Sequence, residues 1–302
     1  MKKYNIIAVM ILFFVLISAF GGPVKAAEPL TAKVISSSLT VRDNASPHAK
    51  VVGSLAKYTV LYVYGSVQGG WSEIRFKNKK AYVPSSQLKT SKSTIVVAFG
   101  DSNTQGTNWN QNLSYAQKDK WVTKLGQTYG AVNAGAGGDT SVMGRARFQK
   151  DVLNKRPNVV TIMFGTNDAV IHDNGKARVS KAQFEQNIRY FVDTLKAKKV
   201  HVVLMTTPPV IQGLYYKRYD ERLYTRYNGA RQWHDSYNAI IRKVAKEKKV
   251  TLIDNYQNMS AAAGGVTDRR LISSGLIDSS GTHLTPKGAD MIYQSVNRVL
   301  SK

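Results

Sequence analysis

The chain has 302 residues, with 43 lysines and arginines against 19 aspartates and glutamates, a formal charge of +24 and no cysteine. That length supplies one sizeable core plus a small module, while the missing thiols exclude a disulfide scaffold, a thiolate zinc site and lipid attachment through cysteine. The basic excess, with no nucleic-acid motif beside it, points away from nucleic acid and toward phosphate-bearing wall polymers or anionic lipid headgroups.

The chain opens "MKKYNIIAVMILFFVLISAFGGPVKAA". Two lysines precede an apolar run and a Gly-Gly-Pro break, and Val24 and Ala26 occupy minus three and minus one of a small-residue cleavage site. This predicts a secretory signal peptide over residues 1–26 and a secreted or wall-associated protein. The rival is an uncleaved membrane anchor, because the run approaches spanning length. No other segment is long and apolar enough to span a bilayer, so no integral membrane segment is expected after cleavage.

From residue 31 to 88 short runs alternate apolar and polar positions: "AKVISSSLTVR", "TVLYVYGSV", "WSEIRF", "KAYVPSSQL". Gly, Asn, Asp and Lys clusters separate them, which predicts a small all-β unit with Trp71 in its core. Residues 89–93, "KTSKS", read as a polar connector. From 94 to 302 the pattern changes. "TIVVAFG", "VVTIMFG", "VHVVLMTTPP" and "VTLIDNY" have the length and β-branched content of buried strands. Helical stretches lie between and after them, the first with Phe184, Ile188, Phe191, Val192 and Leu195 on one face. Alternating strands and helices predict an α/β parallel sheet with helices on both faces and a ligand site beyond the strands' carboxyl ends.

Polar clusters sit where such a site would form. "GDSNTQG" follows the first strand, a turn near Asn133 reads "NAGAGGDTS", then come "FGTND" and, late in the chain, "GTHLTPKG". None is a phosphate site: the first lacks the P-loop lysine, and "GAGG" does not continue with dinucleotide spacing. A serine just after a strand, among small polar residues, suits a nucleophile if a base can reach it. Turn glycines and an asparagine can supply donors to an oxyanion. Asp101, Asp139 and Asp168 read as loop and helix-start acceptors. His48, His172, His201 and His234 read as bystanders in polar or strand-start positions, and no histidine pair has zinc spacing, so no metal is expected. Residues 213–233 mix tyrosines with lysines and arginines, which suits either a lid over a glycan or anionic polymer, or an amphipathic helix with its tyrosines inward.

In order and separation, "GDSN", "GAGGDT", "GTND" and "GTHLTPKG" resemble the SGNH (GDSL-type) hydrolase family over residues 94–302. The resemblance implies a flavodoxin-like sheet, no cofactor, and an esterase chemistry. It puts Ser102 on the nucleophile and first oxyanion donor, Gly138 and Asn167 on the other oxyanion donors, and His283 on the base. Asn103 stands where the family usually has leucine. The larger departure is at the position three before the histidine, where the family's aspartate is replaced by Ser280. Two readings follow: Asp278 reaches the imidazole through an altered loop, or Ser102 and His283 act as a dyad with Ser280 or a carbonyl fixing the tautomer.

Residues 31–88 resemble bacterial SH3 (SH3b) domains through "SLTVRDNAS", "VVGSLAKYTVLYVYG", "GGWSEIRF" and "AYVPSSQL". In exported proteins such domains often bind peptidoglycan. The expected partners are therefore an ester substrate and peptidoglycan or an anionic wall polymer. The expected function is hydrolysis of a short acyl ester, most simply acetyl, on a cell-envelope glycan. Alternatives are a lipase, lysophospholipase or thioesterase for longer chains, an O-acyltransferase, and an inert wall-binding protein.

Overall fold

The computed structural model describes residues 30–91, 94–107 and 116–301; the leader expected over residues 1–26 lies outside them. Eight strands come first: β1 (Leu30–Val34), β2 (Ser38–Arg42), β3 (Val51–Ala56), β4 (Val60–Val63), β5 (Gly65–Val67), β6 (Trp71–Phe76), β7 (Lys79–Pro84) and β8 (Leu88–Ser91). They form two antiparallel sheets, β4-β1-β8 and β3-β2-β7-β6-β5. Alternation aims Leu39 and Val41 of β2 inward, where they meet Val34, Ile74, Val83 and Leu88 in a small core. Trp71, expected in that core, is buried.

The residues read as a connector divide differently. Lys89, Thr90 and Ser91 belong to β8 and pair with Lys33, Ala32 and Thr31 of β1. Their backbone, not an apolar pattern, holds them, and only the presence of β1 reveals it.

The second part is built on five parallel strands in the order β10-β9-β11-β12-β13. They are β9 (Ile95–Gly100), β10 (Gly130–Gly135), β11 (Val159–Met163), β12 (His201–Met205) and β13 (Thr251–Ile253). That is the flavodoxin-like arrangement. Every residue of β9 is buried, as expected of a central strand covered on both faces. Helices α1 (Ser102–Gln105), α2 (Trp121–Leu125), α3 (Ser141–Asp151), α4 (Lys181–Ala197), α5 (Gln212–Tyr215), α6 (Ala230–Lys248), α7 (Asn255–Ala262), α8 (Asp268–Ser274) and α9 (Pro286–Leu300) complete it. On one face α3, α4 and α6 share a core that includes Phe148, Phe184, Phe191 and Tyr237. On the other face α2, α7, α8 and α9 bury Trp121, Met259, Leu271 and Ile292.

One expected turn is strand: Asn133, Ala134 and Gly135 end β10 at the sheet's edge, paired with Ala98, Phe99 and Gly100. Glycine, alanine and asparagine have weak strand propensity, so pairing with β9 decides the conformation. Gly135 is required there, because a Cβ would lie 2.2 Å from the Gln105 nitrogen. The module rests on this side of the sheet, with Tyr62 of β4 packed against the core that Val132 of β10 also borders.

Candidate active site

The four sequence clusters meet at the carboxyl end of the sheet. Gly100 closes β9 under tight constraint, since a Cβ there would lie 2.5 Å from the Met163 carbonyl. The chain then turns sharply into α1, whose N-cap Asp101 accepts from Asn103 N at 2.9 Å. Ser102 is the first residue of that turn and is buried with its hydroxyl facing His283: Oγ and Nε2 are 2.9 Å apart.

Asn103, where leucine would be usual in the resembled family, holds the histidine loop. Its side chain donates to the Thr282 carbonyl at 3.2 Å and accepts from Leu284 N at 3.1 Å. Those bonds bracket His283 and fix the loop against the serine turn. The substitution therefore has a local explanation that the sequence did not reveal.

Ser280 lies between His283 and Asp278: it is the residue at Nδ1, as the second of the two expected arrangements had it, and Asp278 meets Ser280 rather than the imidazole. The Ser280 hydroxyl donates to Asp278 Oδ1 in a short bond, and its oxygen is 2.9 Å from His283 Nδ1. A hydroxyl has one proton, and here the carboxylate takes it. Nδ1 must then carry the imidazole proton and donate to Ser280, leaving Nε2 free to accept from Ser102. Ser280 Oγ also receives His283 N at 3.1 Å and Thr282 N at 3.2 Å. Asp278 is itself anchored, with its N–H donating to the His283 carbonyl at 2.8 Å.

Burial lowers the His283 pKa below its usual value, and the positive charge of Arg218 adds to this, while Asp278 opposes it. The imidazole is accordingly neutral at neutral pH. Arg218 also braces the loop, donating to the Ser280 carbonyl at 2.8 Å and to Thr282 Oγ1 at 3.1 Å.

The three groups expected as oxyanion donors are the N–H groups of Ser102 and Gly138 and the Asn167 side chain. Among the described residues, the backbone N–H groups of Ser102 and Gly138 donate to no protein acceptor. Gly138 has φ +80°, and its neighbour Gly137 approaches Ser102 so closely that a Cβ on it would lie 4.0 Å from Ser102 Cβ. Asn167 Nδ2 spends one hydrogen on the Asp139 carbonyl at 2.9 Å, which orients the second. If that second hydrogen serves an oxyanion, Asn167→Ala will lower kcat on p-nitrophenyl acetate about 10²–10³-fold with little change in KM. A loss confined to KM in steady-state kinetics would remove Asn167 from that role.

Sequence reasoning missed Arg147. From α3 its guanidinium donates to the Gly100 carbonyl at 2.9 Å, the Ala134 carbonyl at 2.7 Å and Asp139 Oδ2 at 2.6 Å. It thus ties the ends of β9 and β10 to the glycine loop. Asp139, expected as a loop or helix-start acceptor, accepts from Arg147 in the loop, while Thr140 caps α3. Asp168 caps the same helix from a neighbouring loop, accepting from Ser141 N at 2.8 Å and Ser141 Oγ at 2.6 Å. Behind the serine turn, burial pushes the Asp101 carboxyl up to about 7 and that of Asp168 up to about 6.

Residues 213–233 are not one helix. They comprise the end of α5, two short 3₁₀ turns and the start of α6. Tyr215 and Tyr224 point inward and are buried, their hydroxyls 2.8 Å apart. The inward reading therefore describes these two tyrosines. His234, expected in polar surroundings, is buried against Tyr215, and burial pushes its pKa down to about 3.

Comparison with known proteins bears on both parts of the chain. The GDSL-like Lipase/Acylhydrolase family matches residues 98–291, and the bacterial SH3 domain matches residues 37–89. The uncharacterized lipoprotein YqeF of Bacillus subtilis is 45% identical over 212 residues, 67% of this chain and 87% of that protein. A lipase/acylhydrolase from Enterococcus faecalis superposes with a TM-score of 0.54 at 22% identity, covering 68% of this chain and 95% of that one. An acetylxylan esterase from Geobacillus stearothermophilus gives 0.52 at 18% identity, covering 68% and 94%. The likeness to the two solved structures concerns the fold. The family match spans well over half of the chain, which is therefore a GDSL-type acylhydrolase, an ester hydrolase carrying an N-terminal bacterial SH3 domain.

Proposed function

We propose that Ser102 is the nucleophile of an exported esterase that removes a short acyl group, most simply acetyl, from a cell-envelope glycan. The observation that carries the catalytic assignment is the 2.9 Å approach of Ser102 Oγ to His283 Nε2, with the other ring nitrogen held by Ser280. Ser102 attacks the acyl carbonyl while His283 accepts its proton. The resulting oxyanion is met by the N–H groups of Ser102 and Gly138 and by the Asn167 side chain. His283 then protonates the leaving alcohol, and water, deprotonated by the same imidazole, resolves the acyl-enzyme. Asp278 acts through Ser280 and not by direct contact: it stabilises the imidazolium that forms in both steps.

The substrate class rests on context. The leader pattern supports export, and the bacterial SH3 domain and the lipoprotein relative support an envelope setting. The acetylxylan esterase shares the fold and deacetylates a glycan. Acetate release from O-acetylated wall glycan, with p-nitrophenyl acetate, octanoate and palmitate run in parallel, tests this reading. Falling kcat/KM with chain length and Ser102-dependent acetate release are expected. A preference for palmitate would replace the glycan by a lipid substrate, and acetyl transfer to added sugar in place of hydrolysis would make the enzyme a transferase.

A further inference from the structure

One cluster of positive charge lies at the end of the sheet remote from Ser102. Each of three neighbouring strands is entered through two adjacent cations: Lys155 and Arg156 before β11, Lys198 and Lys199 before β12, Lys248 and Lys249 before β13. The strands are consecutive in the sheet, and Lys196 Nζ donates to the Lys248 carbonyl at 2.6 Å, joining the last two turns. With helices packed about 8–10 Å apart, the three turns span about 20 Å.

The backbone marks these residues independently. Arg156, Lys199 and Lys249 have φ of 50°, 59° and 51°. In that left-handed region glycine or asparagine is the less strained choice. Lys77, in the β6–β7 turn, has φ 49°. Of the seven described non-glycine residues with positive φ, these four are the cations. A cation near a helix C-terminus does favour the helix dipole. That effect does not require the left-handed position, and it does not extend to Lys77, which ends no helix.

Two concavities follow the same line. Arg156, Lys198, Lys199 and His201 border a cleft of about 660 Å³. Lys155, Arg75 and Lys77 border a second of about 530 Å³ between the module and the sheet edge, walled by Tyr62, Tyr64 and Phe76. Lys155 and Arg156, one lining each cleft, are consecutive in the chain. Glu73 pairs with Arg75 and Asp193 with Lys248, whereas no described acid forms an ion pair with Lys155, Arg156, Lys198 or Lys199.

We propose that this edge is a docking track for a linear polymer carrying regularly spaced phosphodiesters, gripped jointly by the module and the hydrolase domain. Cations in a row suit repeated negative charge, and the aromatic wall suits a polyol or sugar between charges. Concave walls fit a chain better than they fit a flat bilayer. β9 and β11 are six and five residues long, so the start of β11 lies about 20 Å from Ser102. A polymer held there is an anchor, not the substrate.

Binding of the purified protein to immobilised poly(glycerol phosphate) at 0.1 M salt tests this. The triple variant Arg156→Gly, Lys198→Gln, Lys199→Gly is expected to bind at least tenfold more weakly. Its Tm should not fall, since glycine suits two of the positions, and its p-nitrophenyl acetate turnover should be unchanged. A second triple variant, Lys217→Gln, Arg222→Gln, Arg269→Gln, removes equal charge elsewhere and should bind within twofold of the parent. Failure of the parent to bind, equal loss in both variants, or no loss in the first would each overturn the proposal. Tighter binding to phosphatidylglycerol vesicles than to the polymer would replace it with a membrane surface. Because ester hydrolysis is read separately, a failure here leaves the catalytic reading untouched.

Discussion

Ser102→Ala is expected to lower kcat on p-nitrophenyl acetate by at least about four orders of magnitude, to the level that the oxyanion donors alone can support. His283→Ala should have an effect of the same order, and the double variant should be hardly worse than either single one. Such non-additivity follows because the serine is nucleophilic only while the imidazole takes its proton. The single described bond of the Ser102 side chain is the one to His283, so its removal should leave the fold intact. A thermal unfolding midpoint near that of the parent would confirm that the loss is chemical. Turnover surviving in Ser102→Ala would rule out the serine mechanism and require another nucleophile.

The second large effect concerns the carboxylate one link removed from the imidazole. Ser280→Ala and Asp278→Asn are each expected to reduce kcat by about 10²–10³-fold with KM nearly unchanged, less than a directly bonded aspartate would cost because a neutral hydroxyl lies between. The pH profile separates this role from simple support of the loop. His283 must be neutral to act, and burial holds its pKa below the usual value, so the acid limb of kcat/KM lies below about 6.5. Asp278 is the group that pulls this pKa upward, so Asp278→Asn should move the limb to lower pH. The double variant Ser280→Asp, Asp278→Asn places the carboxylate against Nδ1 and should recover much of the lost turnover. An unmoved acid limb together with no recovery would make Asp278 a loop residue only.

Much of this was legible in the sequence because strong local signals carried it. The buried strands are apolar and β-branched, α4 shows its stripe openly, and the four polar clusters occur in an order that chance seldom produces. What escaped depended on neighbours that are distant in sequence. β10 is too rich in glycine and alanine to announce itself and exists by pairing with β9. Lys89 to Ser91 form strand because β1 is there to receive them. Ser280 is an ordinary turn residue until Asp278 and His283 close around its hydroxyl, and the roles of Arg147 and Arg218 depend on carbonyls far away in the chain. The tyrosines after β12 had two directions open to them, and only the packed core selects one.

The pairing of β8 with β1 has a consequence for how the enzyme travels. β8 ends at Ser91 and β9 begins at Ile95, so the join is at most about 14 Å even fully taut. With Tyr62 also seated against the hydrolase core, the module is no grapnel on a line. Whatever it grips, the reacting serine stays at a fixed offset and sweeps an area no wider than the molecule. Progress over an extended surface must then come from whole-molecule release and rebinding, so firmer grip means fewer esters visited per minute.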